Sequence, residues 1–204
     1  MRSSGAKQLV ERAATELFAA RGIDGVSIAE IAALAGVSQG ALYRHYASKE
    51  ELAWSLFSTA YLRTGAELDT IRAQQPAFPA RLAAMVAHFC ALHDNDPALF
   101  RFMLIAQHGL LPRIGSGERT PVDAVTDAVA DAIYAGEIVV AEPPVAVAVI
   151  FGIVLQTAVF HLYGRVSGPL SPRAAELTSA AMAAVASLGS PNSETVGPVA
   201  NFWC

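Results

Sequence analysis

Apolar residues recur along this chain at helical spacing, and no stretch shows the strict alternation of a strand. Between residues 6 and 21, Leu9, Val10, Ala13, Ala14, Leu17 and Phe18 share one helical face, and Gly22 supplies a stop. Ser27 stands three residues before Glu30, a capping-box spacing that predicts a short helix running to about Ala35. Gly36 can take the left-handed conformation of a tight turn, and Ser38 then caps another short helix through Tyr46. Ser48 and Glu51 repeat the capping signal ahead of a long helix to about Leu68, with Leu52, Ala53, Leu56, Phe57 and Ala60 facing inward.

Further on, Pro79 suits the first turn of a helix ending near His93, and Asp96-Pro97 starts one reaching about Gln107. A connector follows over residues 109–119. Thr120-Pro121 then opens a helix that spaces Val122, Val125, Val129 and Ile133 for burial. Residues 143–163 contain no Asp, Glu, Lys or Arg and are long enough to be weighed as a membrane span. Against a span stand Gly152, Gln156, Thr157 and His161, the acidic flank at Glu142, and the lack of a basic cluster to set topology. The reading taken is a helix buried between subunits, with no membrane. A final alanine-rich helix spans 173–188, its small Ala174, Ala181 and Ala184 allowing a close neighbour. The pattern as a whole is all-α.

Composition changes the picture in two places. Hydrophobic residues make up 53% of 204 and charged residues 16%, so the chain folds instead of staying disordered. The net charge of −4 excludes a uniformly basic coat for nucleic acid. Yet the first 49 residues carry six Lys/Arg against four Asp/Glu, and the rest carries eight against fourteen, so the only basic excess is N-terminal. Cys90 and Cys204 are too few for a disulfide framework, and Lys7, Glu11, Arg12 and Glu16 interrupt any export signal, which points to the cytoplasm.

The chemistry is concentrated in residues 26–46, which read as a helix-turn-helix. Ala32 is small at the crossing, Gly36 makes the turn, and Ile31, Val37 and Leu42 form a buried triangle that fixes the interhelical angle. Burying Leu42 turns Gln39, Gly40, Tyr43 and Arg44 outward on a rod that fits the major groove. Gln39 can pair with adenine and Arg44 with guanine, while Gly40 lets the backbone come close. Tyr43, His45, Lys49, Ser27 and Ser38 suit phosphate contacts that set register. Tyr46 is read as packing.

These residues resemble the TetR family of bacterial transcriptional regulators. The resemblance is carried by Ala14 to Phe18, Gly22, Ser27-Ile28, Ile31-Ala32, residues 35–38, Gly40, Leu42-Tyr43, His45-Tyr46, Ser48-Lys49 and Leu52. It covers about the first quarter of the chain. Ser27 stands where the family often has threonine, and Tyr46 where it often has phenylalanine. The resemblance implies a DNA-binding domain of three helices over residues 1–49, a larger helical bundle for effector binding and dimerisation over 50–188, and a tail over 189–204. It also implies double-stranded operator DNA as partner, with Gln39, Gly40, Tyr43, Arg44, His45 and Lys49 at contacting positions, and a homodimer through the last two helices. Effector-induced tilting of the fourth helix would release a repressor from a near-palindromic operator.

Within the implied bundle, Trp54, Phe57, Tyr61, Met85, His88, Phe89, Phe102, Met103, Phe151, Gln156 and Phe160 are candidates to line an effector pocket or simply to fill the core. His88 and Gln156 are the chosen orienting groups. Such a lining suits a small hydrophobic or aromatic molecule. No cofactor, metal site or enzymatic reaction is expected, since the five histidines lack paired metal spacing and there is neither a phosphate loop nor a nucleophile elbow. Two alternatives stand beside this reading: a bundle that only dimerises or binds a protein, and a helical membrane-associated protein or enzyme.

Overall fold

Local signals place the first boundaries. In the computed structural model, which describes residues 2–189, α1 spans Arg2–Arg21, α2 Ile28–Ala35, α3 Gln39–Tyr43 and α4 Lys49–Gln74. Then follow α5 (Phe78–Asn95), α6 (Pro97–Leu110), α7 (Pro121–Tyr134), α8 (Pro143–Leu162) and α9 (Ala174–Ser187). No strand occurs among the described residues. Apart from Gly189, the tail expected over 189–204 lies outside them.

The caps behave as their chemistry requires. Ser27 accepts from the Glu30 amide while the Glu30 carboxylate accepts from the Ser27 amide, and Gly36 adopts φ 67° at the turn. Ser38 and Ser48 accept from the amides of Ala41 and Glu51. Helix α3 stops at Tyr43, three residues short of the expected end. The amides of His45 and Tyr46 both turn to the Leu42 carbonyl, tightening the chain, and the Tyr46 hydroxyl donates to Glu11 Oε1 at 2.6 Å. Tyr46 is thereby pulled beneath α1, buried as expected.

Helix α4 runs six residues beyond the expected Leu68, because Leu68 and Ile71 still have a core to meet and Arg72 has acids to meet on α7. Pro76 follows as the break. Helix α6 runs on to Leu110, and residues 111–113 of the expected connector form one 3-10 turn. Another such turn, at 171–173, leads into α9.

Two hydrophobic cores result. The first joins Phe18, Ile31, Leu42, Leu52 and Phe57 with Phe102 and Ala106 of α6, the rings of Phe18 and Phe102 lying 5.7 Å apart. The second gathers α5, α7, α8 and α9 around Phe78, Leu82, Met85, Val129 and Val154. Helix α4 contributes to both. Val37 is half-buried, so the interhelical triangle is closed on two sides by fully buried Ile31 and Leu42 and only partly on the third.

The second core is stapled by ions. Arg119 reaches Asp69 of α4 and Asp127 of α7 at 2.7 and 2.8 Å, and Arg72 reaches Asp131 at 2.7 Å. Arg81 is buried and donates to the carbonyls of Gln75, Pro76 and Ala128, which ties the α4–α5 connector to α7. Gly65 allows the seam to close, since a Cβ there would stand 2.5 Å from the Arg119 carbonyl oxygen.

The charge-free segment forms α8, long and apolar enough to cross a membrane by length and composition. In the fold it packs on α5, α7 and α9 through Ala146, Val147, Ile150, Val154 and Ala158. It leaves Val145, Ala148, Gly152, Gln156 and Phe160 outward.

Candidate nucleic-acid interface and ligand cavity

The surface of α3 is built from one anchor. Leu42 is fully buried and its neighbours on this short helix turn to solvent: Gln39, Gly40 and Arg44 are exposed and Tyr43 is 52% exposed. Ser27 and Ser38 are exposed, while His45 and Lys49 are half-buried on the same side of the chain turn. Ser38 uses its oxygen as an acceptor for Ala41, so its hydroxyl proton remains for an outside oxygen. Ser27 differs, because its hydroxyl also donates to Glu30 Oε2 at 2.7 Å. That bond, the Arg21 guanidinium and the Ser27 amide hold the Glu30 carboxyl down at about 2. The Ser27 side chain is thus occupied in the cap.

The bundle contains a cavity of about 470 Å³, within the range of small-molecule sites. Helix α4 contributes Tyr61 and Thr64, α5 Phe89 and Leu92, and α6 Phe100, Met103, Leu104 and Gln107. Pro121, Val122 and Thr126 of α7 and Pro144, Val147, Ala148, Phe151 and Leu155 of α8 complete the wall. No charged side chain is among them.

Of the residues singled out from sequence, Tyr61, Phe89, Met103 and Phe151 meet at this wall. The others lie elsewhere. Phe57, Met85 and Phe102 are fully packed core, and Trp54 sits under the Arg113 guanidinium, 4.4 Å from its ring centroid. His88 Nε2 lies 3.2 Å from Glu67 Oε2 across the α4–α5 seam, and Gln156 and Phe160 face outward on α8. The two expected orienting groups are therefore outside the cavity, displaced by Gln107 and the hydroxyls of Tyr61, Thr64 and Thr126. Burial, with a smaller push from Asp123, raises the Tyr61 hydroxyl above its usual range, so it stays protonated.

Helix α6 connects the two regions. One face lines the cavity with Met103, Leu104 and Gln107, while Phe102 and Ala106 on the other face belong to the core beneath α3. Just beyond α6, Arg113 also donates to Glu51 Oε1 at 2.9 Å in the first turn of α4. Contacts thus run without a break from the cavity wall through α6 to the start of α4.

Comparison with known proteins agrees with this layout. The family of bacterial regulatory proteins called tetR matches residues 12–55. A Mycobacterium tuberculosis protein named as the mycofactocin biosynthesis transcriptional regulator MftR is 40% identical over 74 residues, which are 36% of this chain and 37% of its own. The HTH-type transcriptional activator FasR of Mycolicibacterium smegmatis is 30% identical over 127 residues, 59% of this chain and 55% of its own. The chain therefore aligns with about a third to a half of the length of these curated relatives. Among solved structures, the transcriptional regulator FadR of Bacillus subtilis in complex with stearoyl-CoA superposes with a TM-score of 0.68 at 17% identity, covering 85% of this chain and 96% of that one. That likeness establishes the fold over nearly the whole described chain.

Proposed function

Because the chain belongs to the TetR family of bacterial regulatory proteins, we propose that it is a cytoplasmic DNA-binding transcriptional regulator, acting as a homodimer and answering to a small apolar effector. Residues 1–49 would bind DNA and 50–188 would sense and dimerise. The observation that carries the reading is the pairing of an exposed, donor-rich α3 with an apolar cavity that shares α4 and α6 with it. Each subunit would lay α3 in the major groove of one half-site, the two half-sites about 34 Å apart. Gln39, Gly40, Tyr43 and Arg44 would face the bases, and Ser38, His45 and Lys49 the phosphates. Ser27 would help through the amides its cap orders, its hydroxyl being engaged by Glu30.

The outward faces of α8 and α9 support dimerisation. Val145, Gly152 and Phe160 on α8 and Ala175, Ala180, Ala183 and Ala186 on α9 are exposed and apolar or small, which lets two pairs of helices approach closely. The effector would prefer one of two arrangements of α4 and thereby lower operator affinity, which makes the protein a repressor wherever its operator overlaps a promoter. FadR's complex with stearoyl-CoA supports an elongated acyl chain in such a cavity, the CoA portion of that ligand being charged and this cavity's lining being without charged side chains. FasR is named an activator, and in this chain the sign of control would follow from operator position.

A second reading, a bundle that only dimerises or binds a protein, leaves the 470 Å³ cavity without a role. Thermal-shift screening with apolar compounds decides between them. Ligand-dependent stabilisation together with release from DNA supports the sensor, and stability unmoved across a broad apolar library supports the rival.

A further inference from the structure

Two helix starts meet at the mouth of the cavity. Pro121 and Val122 open α7, Pro144 lies in the first turn of α8, and Val122, Thr126, Pro144 and Ala148 are exposed there. A helix start ordinarily attracts an anion, through free amides and the positive end of the helix dipole. Here most of that capacity is removed, the Val122 amide at the α7 start being left without a cap partner. Pro121, Pro143 and Pro144 have no N–H to offer. At α7 the Thr120 hydroxyl takes the Asp123 amide, and the Asp123 carboxylate in turn takes the Thr120 amide and hydroxyl. At α8 the amides of Val145 and Ala146 turn back to the Glu142 carbonyl, and Glu142 brings its own negative charge to the cap position.

The surroundings reinforce this. Residues 120–164 contain five carboxylates and no Lys or Arg. Two guanidiniums on the neighbouring seam are committed, Arg119 between Asp69 and Asp127 and Arg72 on Asp131. Inside, the polar groups are hydroxyls and one amide. Gln107 Nε2 donates to the Leu104 carbonyl at 3.2 Å, leaving its second N–H and its oxygen for a neutral head group.

We infer that the mouth is a charge filter: the cavity takes an uncharged lipophilic molecule with one hydrogen-bonding end, and rejects the same chain carrying a carboxylate or a phosphorylated carrier. This rests on the effector-sensing reading and narrows its ligand class. Proline and carboxylate at both helix starts make the filter, and Thr126 and Gln107 determine specificity within it.

A matched set of probes tests it: dodecanol, γ-dodecalactone, dodecanoate and dodecanoyl-CoA, each displacing the neutral dye Nile red from the full chain below the probe's micellar concentration. The filter predicts that dodecanol or the lactone binds at least tenfold tighter than dodecanoate, with dodecanoyl-CoA weakest. Thr126→Arg, at an exposed position of the wall, should raise the affinity for dodecanoate relative to that for dodecanol at least tenfold. Gln107→Leu should weaken the neutral probes. Tighter binding of the anions by the native chain overturns the filter and leaves the sensor standing. A neutral preference that neither Thr126→Arg nor Val122→Arg shifts overturns the mouth as its cause. No binding of any probe to protein that still holds DNA overturns the filter together with the sensor.

Discussion

Arg44 and Lys49 lie a few residues apart yet should answer to different parts of a duplex. Arg44 is exposed at the end of α3, where base edges would lie, and Lys49 opens α4, where the phosphates would pass. Arg44→Ala should cost about 1–3 kcal/mol of discrimination between the selected site and a mutated one. Lys49→Ala should weaken all duplexes alike and lower the salt slope by about one ion. Titrations at several salt concentrations measure both, and identical behaviour of the two variants would contradict the assignment. Asp94 is the most heavily bonded carboxylate, accepting from the Leu170 and Ser171 amides, the Ser171 hydroxyl and His93 Nδ1. Burial pushes its pKa upward, but those bonds outweigh it and hold the carboxyl well below its usual range. A carboxyl depressed in this way stabilises fully above its unfolded value, about 4, and loses that contribution as pH falls toward the folded value. Asp94→Ala should cost about 2–3 kcal/mol in urea unfolding at pH 6, the gap narrowing below pH 4. A gap that widens on acidification would contradict this. Sequence reading handled single residues well where one local bond decides them, as with Ser27, Gly36 and Ser38. It failed for His88 and Gln156, because which side of α5 or α8 faces the cavity is settled by neighbours far along the chain.

Among the helices, α4 and α6 are the two that belong both to the cavity wall and to the core behind α3. The second half of α4 is fixed to α7 by Arg72, Arg119 and the close approach at Gly65. Gly65→Ala gains about 1 kcal/mol of helix propensity but forces the seam apart, so a net loss of about 1–2 kcal/mol is expected in thermal unfolding. Unchanged stability would mean the seam yields freely. The first half of α4 is held by Arg113 through Trp54 and Glu51. Arg113→Ala should leave effector binding within about twofold and reduce the effect of effector on DNA affinity by about fivefold or more, roughly 1 kcal/mol of coupling. Full coupling in that variant would place the transmission elsewhere. Helix starts were legible because capping is local. Helix ends were less so: α3 closed early over Tyr46, α4 ran on to Gln74 and α6 to Leu110, each set by tertiary partners that no short window contains.

For the whole molecule, all-α architecture and the N-terminal reading unit were written in periodicity and caps, whereas the cavity arises from five helices meeting and had only four of its wall residues singled out in advance. The apolar length of α8 was plain in sequence. Its outward stripe, with Phe160 48% and Val145 40% exposed, emerged only on packing. Phe160→Glu should therefore weaken self-association at least tenfold in sedimentation while the subunit stays folded, since the side chain is half in water. An unchanged dimer would move the interface off α8. The central claim is that a paired, protruding α3 reads sequence. Selecting bound duplexes from a random library with the purified chain tests it most directly. Expected is enrichment of a near-palindrome whose half-sites lie about one helical turn apart, with the preference relaxed at one position of each half-site by Arg44→Ala; a bound pool with no motif, or an unchanged motif from the variant, would contradict it.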